Sequence, residues 1–144
     1  YRTKLAKPNY QLNIDHSVGL LKIYPGFPIE AYSSLFNQSA IKAIVLETYG
    51  AGNAPSNEIF RKFISDYIQE GGIVLNITQC SSGSVVQGKY QTSSFFNKIG
   101  VYSGNDMTTE AALTKLMFLL GTTSNRKEIV SRLTEDICGE ITID

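Results

Sequence analysis

A chain of 144 residues with formal net charge +0, from 13 basic and 13 acidic side chains, lacks the basic excess that recruits nucleic acid or an anionic membrane surface. Its length suits one domain with a useful core, and 42% apolar with 18% charged residues is an ordinary globular composition. Two cysteines, Cys80 and Cys138, make no disulfide framework, a single histidine, His16, leaves no His/Cys metal set, and no apolar run approaches the roughly 20 residues that span a bilayer.

Residues 1–16 are polar, carry no clear period and read as a linker or arm. The start at Tyr1 rather than Met, with no apolar leader core, suggests a processed protein or an excised piece. Val18 to Tyr24 reads as a strand stopped by Pro25-Gly26. Pro28 then opens a helical turn, with Ile29, Tyr32, Leu35 and Phe36 at helical spacing. Ile41 to Glu47 is almost continuously apolar, as suits a strand covered on both faces in a parallel sheet.

Ser56 to Glu70 is the clearest helix. Ile59-Phe60, Phe63-Ile64 and Tyr67-Ile68 form its apolar stripe, and Gly71-Gly72 ends it. Ile73 to Ile77 is the third strand, followed by a polar loop from Thr78 to Lys89. A short helix is expected from Gln91 to Lys98 and a brief strand at Val101-Tyr102. Asp106 or Thr108 caps the next helix, which runs to about Leu120 with Leu113, Leu116, Met117 and Leu120 on its core face and Gly121 as its stop. A last helix starts near Asn125, with Glu128 in capping-box spacing and Ile129, Val130 and Leu133 docking it; Cys138 reads as core.

Strands alternating with helices imply an α/β fold, a small three-layer domain with a four-stranded parallel sheet flanked by helices. All strand carboxyl ends then lie along one edge, where the turns at Tyr24–Gly26, Thr48–Asn53, Thr78–Gly83 and Gly104–Thr108 converge as the expected ligand edge.

These turns support several chemistries unequally. Gly50-x-Gly52 precedes a helix, but the third glycine of the dinucleotide pattern falls at Pro55 and no acid closes the next strand, so a tight turn is the simpler reading. Cys80 sits in a polar loop where a reactive thiol could lie, yet the sole imidazole is His16 in the arm. Asp106 and Glu110 read as cap and helix-dipole partner before they read as an acid/base pair. Glu47, at a strand end, is placed to meet the ammonium group of an amino-acid ligand. Tyr49 and Tyr90 read as cleft walls, and Asn53, Thr78 and Gln79 offer donors and acceptors. No metal set and no cofactor motif is evident.

Four blocks, LETYGAGNAPSN, GGIVLNITQCSSGSVVQGKYQT, GVYSGNDMTTEAALTKLMFLL and ICGEITID, together resemble the carboxy-terminal domain of type I, cytoplasmic bacterial L-asparaginase, from about Val18 onward and in family order. The resemblance implies the Rossmann- or flavodoxin-like fold of that domain over 17–144, with 1–16 as the remnant of an interdomain linker. It implies an enzyme that hydrolyses L-asparagine to L-aspartate and ammonia without a cofactor, through threonines and an Asp-Lys pair of an amino-terminal domain whose motifs do not occur here. The fragment alone is expected to be inactive.

The same resemblance implies a homodimer or homotetramer, a cytoplasmic location, and no nucleic acid or membrane as partner. Tyr90 would reach toward the substrate site of a neighbouring subunit, with Asn53 the weaker candidate. An activating, allosteric asparagine site would lie around Glu47, Thr48, Tyr49, Asn53, Thr78, Gln79 and Cys80. At the position where the best-known allosteric member carries an arginine, this chain carries Glu47. A glutamate repels an effector carboxylate, so Glu47 is expected to meet an ammonium group or to pair with a lysine. The alternatives are a domain of a related amidohydrolase, either a glutaminase-asparaginase or a tRNA-dependent amidotransferase subunit, and a stand-alone small-ligand binding module.

Overall fold

The fold is described from a computed structural model for residues 10–36, 40–86 and 91–143, with the backbone alone at 91–93. Its elements alternate as expected: β1 (Val18–Lys22), α1 (Ile29–Tyr32) continued by a 3-10 turn (Ser33–Leu35), β2 (Ala43–Thr48), α2 (Glu58–Gln69), β3 (Ile73–Thr78), α3 (Gln91–Ile99), β4 (Tyr102–Ser103), α4 (Thr109–Thr122) and α5 (Arg126–Leu133). The strands form one parallel sheet in the order β1-β2-β3-β4. The expected α/β class with a four-stranded parallel sheet is the one observed.

The strand order is sequential. Each crossover therefore steps in the same direction, and connections of one hand place their helices on one face of the sheet. The packing agrees. Ile29 of α1, Phe60, Ile64 and Tyr67 of α2 and Phe96 of α3 cover Leu21, Ile44, Leu46 and Val74. Only after β4 does the chain change faces, and Ala112, Leu116 and Leu119 of α4 with Ile129 and Leu133 of α5 cover Ala43, Val45, Ile73, Leu75 and Ile77. The sheet has no reversal of strand order, so the crevice at its carboxyl edge arises where α4 crosses to the second face.

Local chemistry explains the strongest boundaries. Asn57 caps α2 by accepting the amide of Phe60 at 2.7 Å, and Gly71, at φ +106, takes the left-handed turn that stops it. Thr108, not Asp106, caps α4 through the amide of Ala111.

Four expectations need correction. The helix after Pro28 is a single α turn with a 3-10 extension, and Leu35 is exposed. The core face of α4 is Ala112, Lys115, Leu116 and Leu119, while Leu113, Met117 and Leu120 are only partly covered. Gly121 does not stop α4, which continues to Thr122; a Cβ there would collide with the Asn13 carbonyl, so this glycine admits the arm that crosses the helix. Cys138 is exposed, because the carboxy-terminal strap buries Ile141 in the second core instead.

That strap, residues 134–143, is fastened at two places. Lys115 on α4 is 3% exposed and forms a 2.6 Å ion pair with Glu140, 7% exposed, while also donating to the Glu135 carbonyl. Burial pushes the Glu140 carboxyl up, but the Lys115 hydrogen bond and the amides of Cys138 and Ile137 outweigh it and hold the group well below the usual range. Farther on, Asp106 accepts both the amide and the hydroxyl of Thr142, at 2.8 and 2.5 Å.

Candidate functional site

Side chains alternate between the faces of a strand. On β2, Ile44 and Leu46 face the α2 side, so Glu47 faces α4 and Thr48 faces back. Register pairs Glu47 with Lys22 on β1, so the two charges share a face at the carboxyl edge of the sheet. Their ion pair is 3.1 Å long, with Glu47 buried (6% exposed) and Lys22 open to solvent (62%). The other Glu47 oxygen, Oε1, accepts the hydroxyl of Thr109, the first residue of α4. One carboxylate thus ties β1, β2 and α4 together. Of the two partners expected for Glu47, the lysine is present.

A cleft of about 380 Å³ opens over this triad, within the size range of small-ligand sites. Its floor holds Lys22 and Glu47. One wall is the turn after β3, Thr78 to Gly83; the other is the turn into α4, Asp106 to Glu110. The first wall is stitched to the sheet by Gln79, whose side-chain amide donates to the carbonyls of Ile23 and Glu47 at 2.5 and 2.9 Å. Thr78 accepts the amide of Cys80 at 3.0 Å and shapes the bend that exposes the thiol. The second wall is held by the Asp106–Thr142 clamp, which keeps the Asp106 carboxyl below its ordinary pKa.

The expected ligand residues divide between two places. Glu47, Thr78, Gln79 and Cys80 come together in the cleft. Thr48 points to the opposite face, fully buried, and donates to Asn76 Oδ1 at 2.7 Å. Tyr49 and Asn53 do not line the cleft; they close a tight turn by exchanging backbone hydrogen bonds of 2.8 Å. Gly50 and Gly52 have positive φ in this turn, and a Cβ on Gly52 would sit 2.8 Å from Val85 Cγ1, which supports the turn reading of these glycines. The Tyr49 ring packs on the first core, where burial pushes its phenol pKa up. Tyr90 lies outside the described residues.

Lys22, Thr109 and the clamp through Thr142 were missed as site features. The alternation of β1 and β2 puts Lys22 and Glu47 on one face only once their register is known. His16 precedes the amino end of β1 and Cys80 follows the carboxyl end of β3. A strand of five residues at about 3.3 Å each separates those edges, so the imidazole is no base for that thiol. A second hollow of about 420 Å³ lies between α4 and the carboxy-terminal strap, but its charges, Lys115 and Glu140, satisfy each other. Among the described residues no group of His, Cys, Asp and Glu could hold a metal ion, and no helix is long and apolar enough to cross a membrane.

Residues 17–132 match a family described as the Glutaminase/Asparaginase C-terminal domain. Over 127 residues the chain is 38% identical to L-asparaginase 1 of Escherichia coli K12, covering 88% of this chain and 37% of that protein. Over 129 residues it is 36% identical to a component of the Glutamyl-tRNA(Gln) amidotransferase of Pyrococcus abyssi, covering 90% of this chain and 29% of that protein. The crystal structure of L-asparaginase I from Vibrio cholerae superposes with a TM-score of 0.84 at 34% identity, covering 92% of this chain and 40% of that one. The chain therefore spans well under half the length of these relatives.

Proposed function

The chain belongs to the glutaminase/asparaginase C-terminal domain family, and from that premise we propose that it is the carboxy-terminal domain of an L-asparaginase that hydrolyses L-asparagine to L-aspartate and ammonia. The observation that carries the proposal is the match over 17–132 together with 38% identity to an L-asparaginase of which the chain covers 37%. The remaining length of such an enzyme supplies the threonines and the Asp-Lys pair, and residues 1–16 are the end of the linker from it. Amide hydrolysis needs an activated nucleophile beside a base. In the cleft the Thr109 hydroxyl meets Glu47, a carboxylate already neutralised by its ion pair with Lys22, and Cys80 has no imidazole on its edge of the sheet.

The role left to this domain is to bind and to assemble. The cleft is the effector site, taking L-asparagine beside Glu47, Thr78, Gln79 and Cys80. Thr48 ends β2 on the opposite face, and Tyr49 and Asn53 close the turn that follows it. Tyr90 belongs to the segment that completes a neighbouring subunit's active site in a cytoplasmic homodimer or homotetramer.

Ammonia release from L-asparagine tests the assignment. The purified chain is expected to release none, and the chain joined to its preceding catalytic domain to release it at an enzymatic rate. Turnover by the chain alone would overturn the division of labour. The 36% identity to an amidotransferase component supports a second reading, an amidohydrolase serving tRNA-bound glutamate. Glutamine hydrolysis that depends on Glu-tRNA(Gln), with none on free asparagine, would select it.

A further inference from the structure

The arm meets α4 along one row of the helix. Leu113, Met117 and Gly121 stand at i, i+4 and i+8 and so share a face. The Asp15 amide donates to the Met117 carbonyl at 3.0 Å, and the Gln11 side-chain amide reaches the Gly121 carbonyl at 3.4 Å. The Asn13 backbone occupies the space that a Cβ on Gly121 would need. Gln11, Asn13 and Asp15 thus hold the arm. The alternate residues, Tyr10, Leu12 and Ile14, are 77%, 84% and 55% exposed. An extended segment turns alternate residues to opposite sides. Here the polar ones make the contacts to the helix and the apolar ones stay open.

α4 shows the same inversion. A helix covered on one side carries polar residues on the other. Its inner side is Ala112, Lys115, Leu116 and Leu119, yet Leu113, Met117 and Leu120 lie outside that set and are only partly covered. Of its two charges, Lys115 is spent inward on Glu140, which leaves Glu110 alone outside.

We propose that the outward side of the arm, Tyr10, Leu12 and Ile14, with the flanking Leu113 and Met117 of α4, is the seat of the domain that precedes this one in the chain. The inference rests on the reading of this chain as the carboxy-terminal domain of a longer enzyme. Two observations select that occupant. The strip is carried by the arm, the segment through which a preceding domain joins, and the 37% share of the Escherichia coli relative leaves most of such an enzyme to fill it. The strip is also small. Five side chains present less than the roughly 800 Å² per partner of a standard interface between free proteins. A tethered domain meets the strip at an effective concentration of about millimolar order, so a modest apolar seam suffices. The seam places that domain on the α4 side of the sheet, away from α2.

Hydroxyl-radical footprinting of the chain joined to its preceding domain, read residue by residue by mass spectrometry, tests this. Ile59 of α2 is the internal reference, 54% exposed and on the opposite side of the sheet. By exposure alone Leu12, at 84%, labels faster than Ile59. In the joined protein Leu12 is expected to label more slowly than Ile59, with Ile14 and Met117 reduced alongside it. Leu12→Asp with Ile14→Asp is expected to restore labelling at Tyr10 and Met117 and to lower the thermal midpoint of the joined protein. The midpoint of the chain alone is expected to stay unchanged, since both side chains are exposed. Leu12 labelled faster than Ile59 in a joined protein that releases ammonia from L-asparagine overturns the inference and leaves the reading of the chain standing. A joined protein that releases no ammonia overturns that reading instead. Protection of Leu12 that fades on dilution assigns the strip to a second copy and overturns the inference.

Discussion

Lys115 and Glu140 show what a buried charge demands. Each is nearly inaccessible, and each satisfies the other at 2.6 Å. Removing one partner strands a charge in the interior. Glu140→Ala is expected to cost about 3–5 kcal/mol, whereas Lys115→Met with Glu140→Leu is expected to fall within about 1–2 kcal/mol of wild type. Urea denaturation of the three proteins checks this, and equal losses in both variants would mean that packing rather than charge governs the site. Little of this pair is legible in the sequence. Lys115 occupies a core position of α4 yet reads as an ordinary solvated lysine, and its partner lies far along the chain in a strap without periodicity. Glu47 was legible in kind, as a strand-end carboxylate expected either to meet a ligand's ammonium group or to pair with a lysine, of which the lysine is observed. The identity of that lysine was not, because it depends on strand register, which is a tertiary property.

Elements were legible where their determinants are local. The turn at Gly71 and the cap at Thr108 each depend on groups within a few residues. Reading failed where a distant segment decides. Gly121 suggested a helix end, but it lies inside α4 and makes room for the arm, whose Asp15 amide donates to the Met117 carbonyl at 3.0 Å. Gly121→Ala gains helix propensity, about 1 kcal/mol, and loses the docking of the arm. It is expected to be destabilising by about 1–3 kcal/mol, the usual scale of overpacking. Hydrogen exchange at the Asp15 amide should rise in this variant while exchange within β2 and β3 stays slow. An unchanged Asp15 amide would show that the arm is held by other contacts.

For the whole molecule, acid is the informative stress. The Lys42 hydrogen bond and the Ser17 amide hold the Asp15 carboxyl down at about 2, against an ordinary value of 3.8. A carboxylate whose folded pKa is depressed stabilises the fold above its unfolded pKa, and that stabilisation is lost as pH falls toward the folded value. Asp15→Asn is therefore expected to be less stable than wild type at pH 7, with the gap closing as pH falls from 3.8 toward about 2. Urea midpoints across that range check the sign; a gap that widens in acid contradicts it. Glu140, also held low, adds to the same acid lability.

The sequential strand order has a consequence for how the molecule is made. A ribosome delivers β1 through β4 in the order in which they pair, so no strand must wait for a later one to be inserted beside it. The first face acquires α1, α2 and α3 along the way. The second face, with Ala43, Val45, Ile73, Leu75 and Ile77, stays bare until α4 and α5 emerge. Through most of synthesis the nascent domain is a half-clad sheet, the kind of surface that chaperones hold. The Asp106 clamp that fixes one wall of the cleft closes only when Thr142 arrives, so the cleft is among the last features the chain completes.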